Sequence, residues 1–165
     1  MEEIEVPTEH LHEAIKERAE EGKWFMQVAI STAIIAVFAA IAGLMAGHHS
    51  NEALIERIKA SDQWSYYQAK GIKGEIKGLS ATAKDSAAVL KYKNEQVEIK
   101  KEAEHNEQLS EAHLSKHVLL ARSVTLFQIA IAISAIAILT RKKILWYIGL
   151  LLSIGGIIFF ALGLT

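Results

Sequence analysis

Three long apolar runs, each nearly free of charged side chains, constrain this chain more than any other feature. They cover residues 24–47, 118–140 and 144–164, and Arg122 lies near the start of the second. A helix of about 20 residues, rising about 1.5 Å per residue, crosses the ~30 Å hydrocarbon core of a bilayer. A backbone in lipid must satisfy its own hydrogen bonds, so these runs are predicted to be transmembrane helices.

The remaining composition predicts an almost wholly helical protein. Apolar residues make up 51% of the chain and charged residues 22%, the charges fall into blocks, and Pro7 is the single proline. We therefore expect an all-α membrane protein with three transmembrane helices and a long extramembrane helical hairpin, residues 48–117, between the first and second. The net charge of −1 gives no reason to expect nucleic acid as a partner, and the lack of cysteine excludes disulfides and thiolate catalysis.

The basic turn at residues 141–143, Arg-Lys-Lys, predicts the orientation. Positive residues in short loops stay in the cytoplasm, so the N-terminus is expected inside and residues 48–117 outside. Residues 1–23 carry eight Glu, which argues against a cleaved signal peptide. They are predicted to form a short cytoplasmic amphipathic helix, with Thr8 as its cap.

The segment at residues 48–117 holds eleven basic and eleven acidic side chains. Steps of three and four predict an imperfect coiled-coil seam on its first arm: Leu54, Ile58, Ser61, Ser65, Gln68, Ile72, Ile76 and Leu79. Ser80 or Thr82 is expected to cap the second arm. Gly71, Gly74 and Gly78 share one helical stripe, which fits either a close helix–helix contact or a loosened hairpin tip.

An aromatic run is the most distinctive motif of the first arm. Trp64, Tyr66 and Tyr67, with polar Asp62 and Gln68 beside them, have the composition of an interface hot spot. We expect a docking patch for another subunit; the alternative is that these rings pack on the opposite arm of their own hairpin.

This run also carries a family resemblance. Residues 51–54 read Asn-Glu-Ala-Leu, and residues 59–70 read Lys-Ala-Ser-Asp-Gln-Trp-Ser-Tyr-Tyr-Gln-Ala-Lys. Together with one preceding span and two closing spans, they resemble the bacterial membrane proteins of the domain of unknown function 4337. The three hairpin glycines are less typical of that family. The resemblance implies a bacterial inner-membrane location, which would make the outside of residues 48–117 the periplasm, and it supplies no catalytic residue.

Four histidines form the one cluster with metal-ligand chemistry. His48 and His49 follow the first span, and His113 and His117 precede the second, so antiparallel arms bring them together. Imidazoles with a nearby carboxylate are typical ligands of zinc or copper. The alternative is that they are interface residues without a ligand.

Small residues form stripes on two spans and permit close helix packing in lipid: Ala39, Gly43 and Gly47 on the first, and Gly149, Ser153 and Gly156 on the third. We therefore expect a non-catalytic protein without a resident cofactor. Its partners would be the lipid bilayer and either further copies of itself, as a homo-oligomer, or other subunits of a membrane complex. The alternatives are a metal-binding protein that uses the histidine cluster and a pore formed by oligomerisation.

Overall fold

The computed structural model describes the backbone of residues 8–79 and 83–165, and the side chains of residues 22–79 and 86–165. Its described part consists of three helices: α1 at Thr8–Gly78, α2 at Ala83–Thr140 and α3 at Lys143–Leu164. This confirms the predicted all-α class. Residues 1–7, the side chains that would make residues 8–21 amphipathic, and the predicted caps Ser80 and Thr82 lie outside the described residues.

The long helices follow from what the sequence lacks. No proline follows Pro7, so the backbone donors and acceptors of α1 remain available for 71 consecutive helical residues. The turn between α2 and α3 is shorter than the expected residues 141–143, because α3 already begins at Lys143. Arg141 adopts a φ of 53°, the left-handed conformation that commonly ends a helix.

All three helices are long and apolar enough to cross a membrane, judged by length and composition within the described residues. The mean hydropathy of their most apolar windows is 2.4, 2.1 and 2.3. Only 17%, 28% and 17% of the residues in these windows are buried by the rest of the chain. Their apolar side chains are therefore mostly left uncovered by this protein itself.

The chain divides into two compact units. The first unit comprises Met1–Gly43 with Arg122–Ala161. Its core consists of Ile35, Ala42, Phe127 and Ala130, and Phe38 packs against it. The rings of Phe38 and Phe127 lie 6.1 Å apart, within the range of favourable aromatic pairs.

Helix α3 approaches α2 in the first unit through residues without bulky side chains. A Cβ at Gly149 would lie 2.9 Å from Ser134 Oγ, and one at Gly156 would lie 2.6 Å from the ring of Phe127. Ser153, between these glycines, is buried. The stripe predicted on the third span therefore lies where α3 needs its smallest residues.

The stripe predicted on the first span is less uniform. Ala39 packs against the core of the first unit, and a Cβ at Gly43 would make an ordinary contact with Val124 at 3.9 Å. A Cβ at Gly47, which belongs to the second unit, would meet nothing within 4 Å. The spacing of these residues does not show whether a neighbouring helix lies against a given glycine, and none lies within 4 Å of a Cβ at Gly47.

The second unit comprises Leu44–Ala121 with Leu162–Thr165. Its α1 and α2 segments contact each other in antiparallel order, since residues late in α1 meet residues early in α2. Lys70 pairs with Glu95, whereas Ala53 is bonded to Ser110. Near the end of the α2 segment in this unit, Lys116 Nζ donates to the carbonyl of Thr165 at 3.1 Å.

Adjacent glycines of α3 give a matched test of the packing in the first unit. We expect Gly156→Ala to lower the free energy of unfolding by about 1–3 kcal/mol, because the fully buried Phe127 has little room to move away from the new methyl group. Gly155→Ala should cause no such loss, since its Cβ would lie 3.5 Å from Leu126 Cδ1. Thermal unfolding of both purified variants, followed by circular dichroism, measures the difference; equal midpoints would contradict this account.

Candidate functional site

The contact between α1 and α2 in the second unit is built on small side chains. Ala53 and Ala60 of α1 and Ala103 of α2 are buried. Ser110 is buried as well, and its hydroxyl donates to the carbonyl of Ala53 at 2.8 Å. Side chains this short let two helical backbones approach closely, and the serine hydroxyl finds its acceptor across the contact. We call this contact the small-residue seam.

The coiled-coil seam predicted on the first arm does not face α2, and its packing against another helix stays a prediction. Every member of that set is exposed: Leu54, Ile58, Ser61, Ser65, Gln68, Ile72, Ile76 and Leu79. The small-residue seam occupies the other side of α1, because Ala53 and Ala60 admit the neighbouring helix more closely than leucine or isoleucine would. The leucines and isoleucines of this set, with Ser61, Ser65 and Gln68 between them, therefore form a row on the exposed side of α1. We call this row the outward stripe.

The aromatic run divides between the two sides of α1. The Trp64 indole N–H donates to Glu107 Oε1 at 3.2 Å, and its ring lies edge-on to Tyr67 at 5.6 Å. Tyr66 is exposed, as are Asp62 and Gln68. Two of the three predicted docking rings thus lie half-buried, and Trp64 is engaged with the opposite helix of the same chain.

The half-buried Lys70 joins α1 to α2 about one helical turn after Tyr67. Lys70 Nζ lies 2.5 Å from Glu95 Oε2 and over the rings of Tyr66 and Tyr92, at 5.1 and 5.3 Å. The hydrogen bond with Glu95 raises the pKa of Lys70, and the same bond lowers the pKa of the Glu95 carboxyl. Both groups are therefore charged at neutral pH, and they link α1 to α2 by charge as well as by ring contact.

The three glycines after the aromatic run all face α2. A Cβ at Gly74 or Gly78 would make an ordinary contact, at 3.8 Å from Tyr92 and 4.0 Å from Val89. A Cβ at Gly71 would lie 2.8 Å from Gln96 Nε2. Gln96 Nε2 donates to the carbonyl of Tyr67 at 3.1 Å, four residues before this glycine. The missing side chain at Gly71 thus opens a path to a helical carbonyl, which favours the predicted close contact over a loosened tip.

Two of the four predicted histidines meet across the small-residue seam. The Nδ1 atoms of His49 and His113 lie 3.0 Å apart, so one donates, the other accepts, and at least one ring is neutral. His48 lies beside His49, with ring centroids 5.4 Å apart. His117 is engaged elsewhere, since its Nδ1–H donates to the carbonyl of Ala46 at 2.8 Å.

The electrostatic surroundings disfavour a charge on His49. Its pKa is lowered first by burial, then by the proximity of His113, His48 and Lys116, and Glu52 opposes these effects only weakly. The neutral form is therefore stabilised in the folded chain. Neutral imidazole is also the form that binds metals.

The histidines do not assemble into a closed metal site in this conformation. Within the part of the chain that the structure describes, no group of three or more His, Cys, Asp or Glu side chains is placed to hold one ion. A structural zinc site has four protein ligands, and the geometry here offers the pair His49 and His113. Zinc or copper binding at His48, His49, His113 and His117 stays a prediction, for which metal analysis of His-to-Ala variants is the test.

Sequence reasoning missed the acceptors and small residues that α2 contributes. Glu95, Glu107 and Ser110 were not singled out, because the second arm reads as a polar stretch with sparse apolar residues. A pattern was nevertheless present: Ile99, Ala103, Asn106 and Ser110 are buried and recur in steps of four, three and four. Alanine and serine at two positions of such a repeat indicate a contact in which the two helix axes lie close together.

Comparison with known proteins gives a family and no activity. A family model described as Domain of unknown function (DUF4337) matches residues 24–165. No curated protein and no solved structure matches the chain.

The histidine contact predicts a pH dependence of stability. Because the pKa of His49 lies below 6.5 in the folded chain, the unfolded chain binds more protons in the window between the two pKa values. The contribution of His49 is therefore complete above pH 6.5 and is lost as the pH falls through that window. We expect the unfolding midpoint to drop between about pH 7.5 and about pH 5.5, and His49→Gln to reduce this drop.

The exposed His105 supplies the matched control on α2. His105→Gln should leave the pH profile as it is in the unaltered protein. Equal profiles for the His49→Gln and unaltered proteins would show that this contact does not couple protonation to folding.

Proposed function

We propose, for a chain that belongs to the family of the domain of unknown function 4337 over residues 24–165, a role as a non-catalytic integral membrane protein that acts through assembly. It would serve as a homo-oligomeric scaffold or as an accessory subunit of a membrane complex. The family description names no activity, so the proposal rests on the chain's own surfaces.

The observation that carries the proposal is the exposure of apolar side chains along all three helices. Ile34, Val37 and Leu151 are 53%, 59% and 69% exposed, in windows of which at most 28% is buried. Covering such surface with lipid or protein is favourable by about 25 cal/mol per Å². Spans at residues 24–47, 118–140 and 144–164 would remove it from water.

Assembly is favoured over transport by the chemistry of the proposed spans. Their interiors hold no Asp, Glu, Lys or His, and these are the groups that mark ion and proton pathways in membranes. Two hydroxyls inside them are bonded within the protein: Ser134 Oγ donates to Ala130 O of its own helix at 2.8 Å, and Ser31 Oγ accepts from Trp146 Nε1 at 3.1 Å. The second bond joins α1 to α3, and bonds of that kind hold helices together.

The segment at residues 48–117 would form the outer hairpin that presents a surface to partners. Support comes from the antiparallel contacts between Ala53 and Ser110 and between Lys70 and Glu95. A contact made of alanine, serine and ion pairs buries little apolar area, so two helices alone gain little stability from it. Further copies or another subunit would supply the rest.

The proposed orientation places this hairpin outside and the N-terminus inside, in a bacterial inner membrane. The basic turn at residues 141–143 supports it, because short basic loops are retained in the cytoplasm. Aromatic pairs at the start of the first and third spans are consistent with one shared interface: Trp24 with Phe25, and Trp146 with Tyr147.

Extraction and native mass spectrometry test the function directly. We expect the protein to remain in the membrane fraction through carbonate and high salt, because apolar helices leave lipid only with detergent. In mild detergent we expect either a defined oligomer or a stoichiometric complex with another subunit. Release by carbonate would overturn the membrane assignment, and a monomer without a co-purifying partner would overturn the assembly role.

The lack of cysteine allows the orientation to be measured with single thiols. Lys101, in the proposed outer hairpin, and Lys142, in the basic turn, are both exposed. In spheroplasts, a membrane-impermeant maleimide should label Lys101→Cys at once and Lys142→Cys only after lysis. The reverse pattern would invert the topology while leaving the assembly role open to its own test.

A further inference from the structure

The outward stripe of α1 is an apolar face without a partner within the described part of the second unit. Leu54, Ile58, Ile72 and Ile76 are 60%, 53%, 58% and 62% exposed. They lie in the segment proposed to stand in water, where lipid would not cover them. Isolated exposed apolar residues need no explanation, whereas apolar residues repeated on one side of a helix at both ends of the same stripe point to a contact surface.

The spacing of the stripe is that of a coiled coil. From Leu54 to Ile72, the positions 54, 58, 61, 65, 68 and 72 advance by alternating steps of four and three. This alternation keeps one side of a helix against a parallel partner over about two and a half heptads. The partner is therefore expected to be a helix of similar length that runs beside α1.

The polar members of the stripe point to a second copy of this chain. Ser61, Ser65 and Gln68 interrupt the apolar row at its centre. In a parallel, in-register pair each of them meets its own counterpart, and a glutamine amide both donates to and accepts from an identical amide. Ser65 Oγ already donates to the carbonyl of Ser61 in its own helix at 2.9 Å. An apolar partner or a shifted register would leave the amide of Gln68 unpaired, which is how a single polar core residue selects register.

Charges on the two borders of the stripe agree with the same pairing. Arg57 and Asp62 are both exposed. They are five residues apart, hence about 140° apart around the helix, and so flank the stripe on opposite sides. In a parallel two-helix coil, the border residue of one heptad faces the opposite border residue five positions later on the partner. Arg57 of one copy would thus face Asp62 of the other, twice by symmetry.

We propose that the outward stripe of α1, residues 54–72, pairs in parallel and in register with the stripe of a second copy of the same chain. This rests on the proposed function, because anchoring in one membrane holds two copies in the same orientation and at the same height. The small-residue seam then holds each chain to itself, and the outward stripe holds one chain to the next.

Thiol cross-linking tests the position of the contact. Ser61→Cys, on the stripe, should form a disulfide-linked dimer when membranes are treated with diamide, because each position of an in-register pair meets its counterpart. Lys101→Cys is the matched control, since Lys101 is exposed on α2, on the side away from the small-residue seam. Comparable cross-linking of both variants, no cross-linking of Ser61→Cys, or its linkage to a different protein would each overturn the proposal.

Charge reversal tests the register independently. Asp62→Lys alone should weaken dimerisation in detergent on the order of tenfold, because two attractive pairs become repulsive. Arg57→Glu combined with Asp62→Lys should restore it. The two residues cannot pair within one helix, so rescue requires a second copy. Arg57 also lies 3.5 Å from Glu107 within its own chain, so Arg57→Gln serves as the control for loss of that contact alone.

The two proposals fail in different ways. If the unaltered protein is oligomeric by native mass spectrometry but the charge-reversed pair shows no rescue, the stripe is not the contact and the assembly role stands. If the unaltered protein is a monomer without a co-purifying partner, both proposals are overturned. A single copy in a stoichiometric complex with another subunit overturns the pairing of the stripe and leaves the assembly role standing.

Discussion

The close approach of α1 and α2 decides which surfaces of the second unit remain for other molecules. Ala53, Ala60 and Ala103 occupy the contact because helical backbones can come near only where side chains are short. Leucine and isoleucine are thereby displaced to the outer side of α1. In most soluble proteins the largest apolar residues define the core. Here the buried apolar residues of the α1 segment are alanines, α2 also buries Ile99, and the leucines and isoleucines of that α1 segment are exposed.

The polar groups of this contact show how a narrow seam is stabilised. Ser110, Gln96 and Trp64 all donate across it, two of them to helical carbonyls that already have a partner within α1. A helical carbonyl has a second lone pair, which is accessible only where the neighbouring side chain is small. Gly71 provides that access for Gln96. Small residues on α1 thus leave carbonyls accessible, and polar side chains of α2 donate hydrogen bonds to them.

The sequence predicted some levels of this structure well and others poorly. Helical class and the three apolar helices follow from run length and the absence of proline, which act locally. The predicted seam of α1 is exposed and does not face α2, because periodicity reports that a helix has an apolar face and does not report which neighbour covers it. His49 and His113 were expected to converge, and their Nδ1 atoms do lie 3.0 Å apart. His117 was expected in the same cluster, but its Nδ1–H donates to the carbonyl of Ala46. This contact depends on the register of α2 along α1, and the residue spacing within one helix does not determine that register.

The small-residue seam and the outward stripe are two different surfaces of α1. In the proposed assembly the seam holds the chain to itself, and the stripe holds it to a second copy. Buried alanines leave no room for a larger side chain between the two helices, so they fix the distance between α1 and α2. The outward stripe, made of flexible aliphatic chains interrupted by serine and glutamine, gains most from a partner that carries the same interruptions at the same height. Anchoring by the proposed spans would satisfy that condition for identical chains without further specificity, because two copies in one membrane share their direction and depth. The proposed assembly therefore needs no dedicated recognition element beyond the stripe and the two charges that border it.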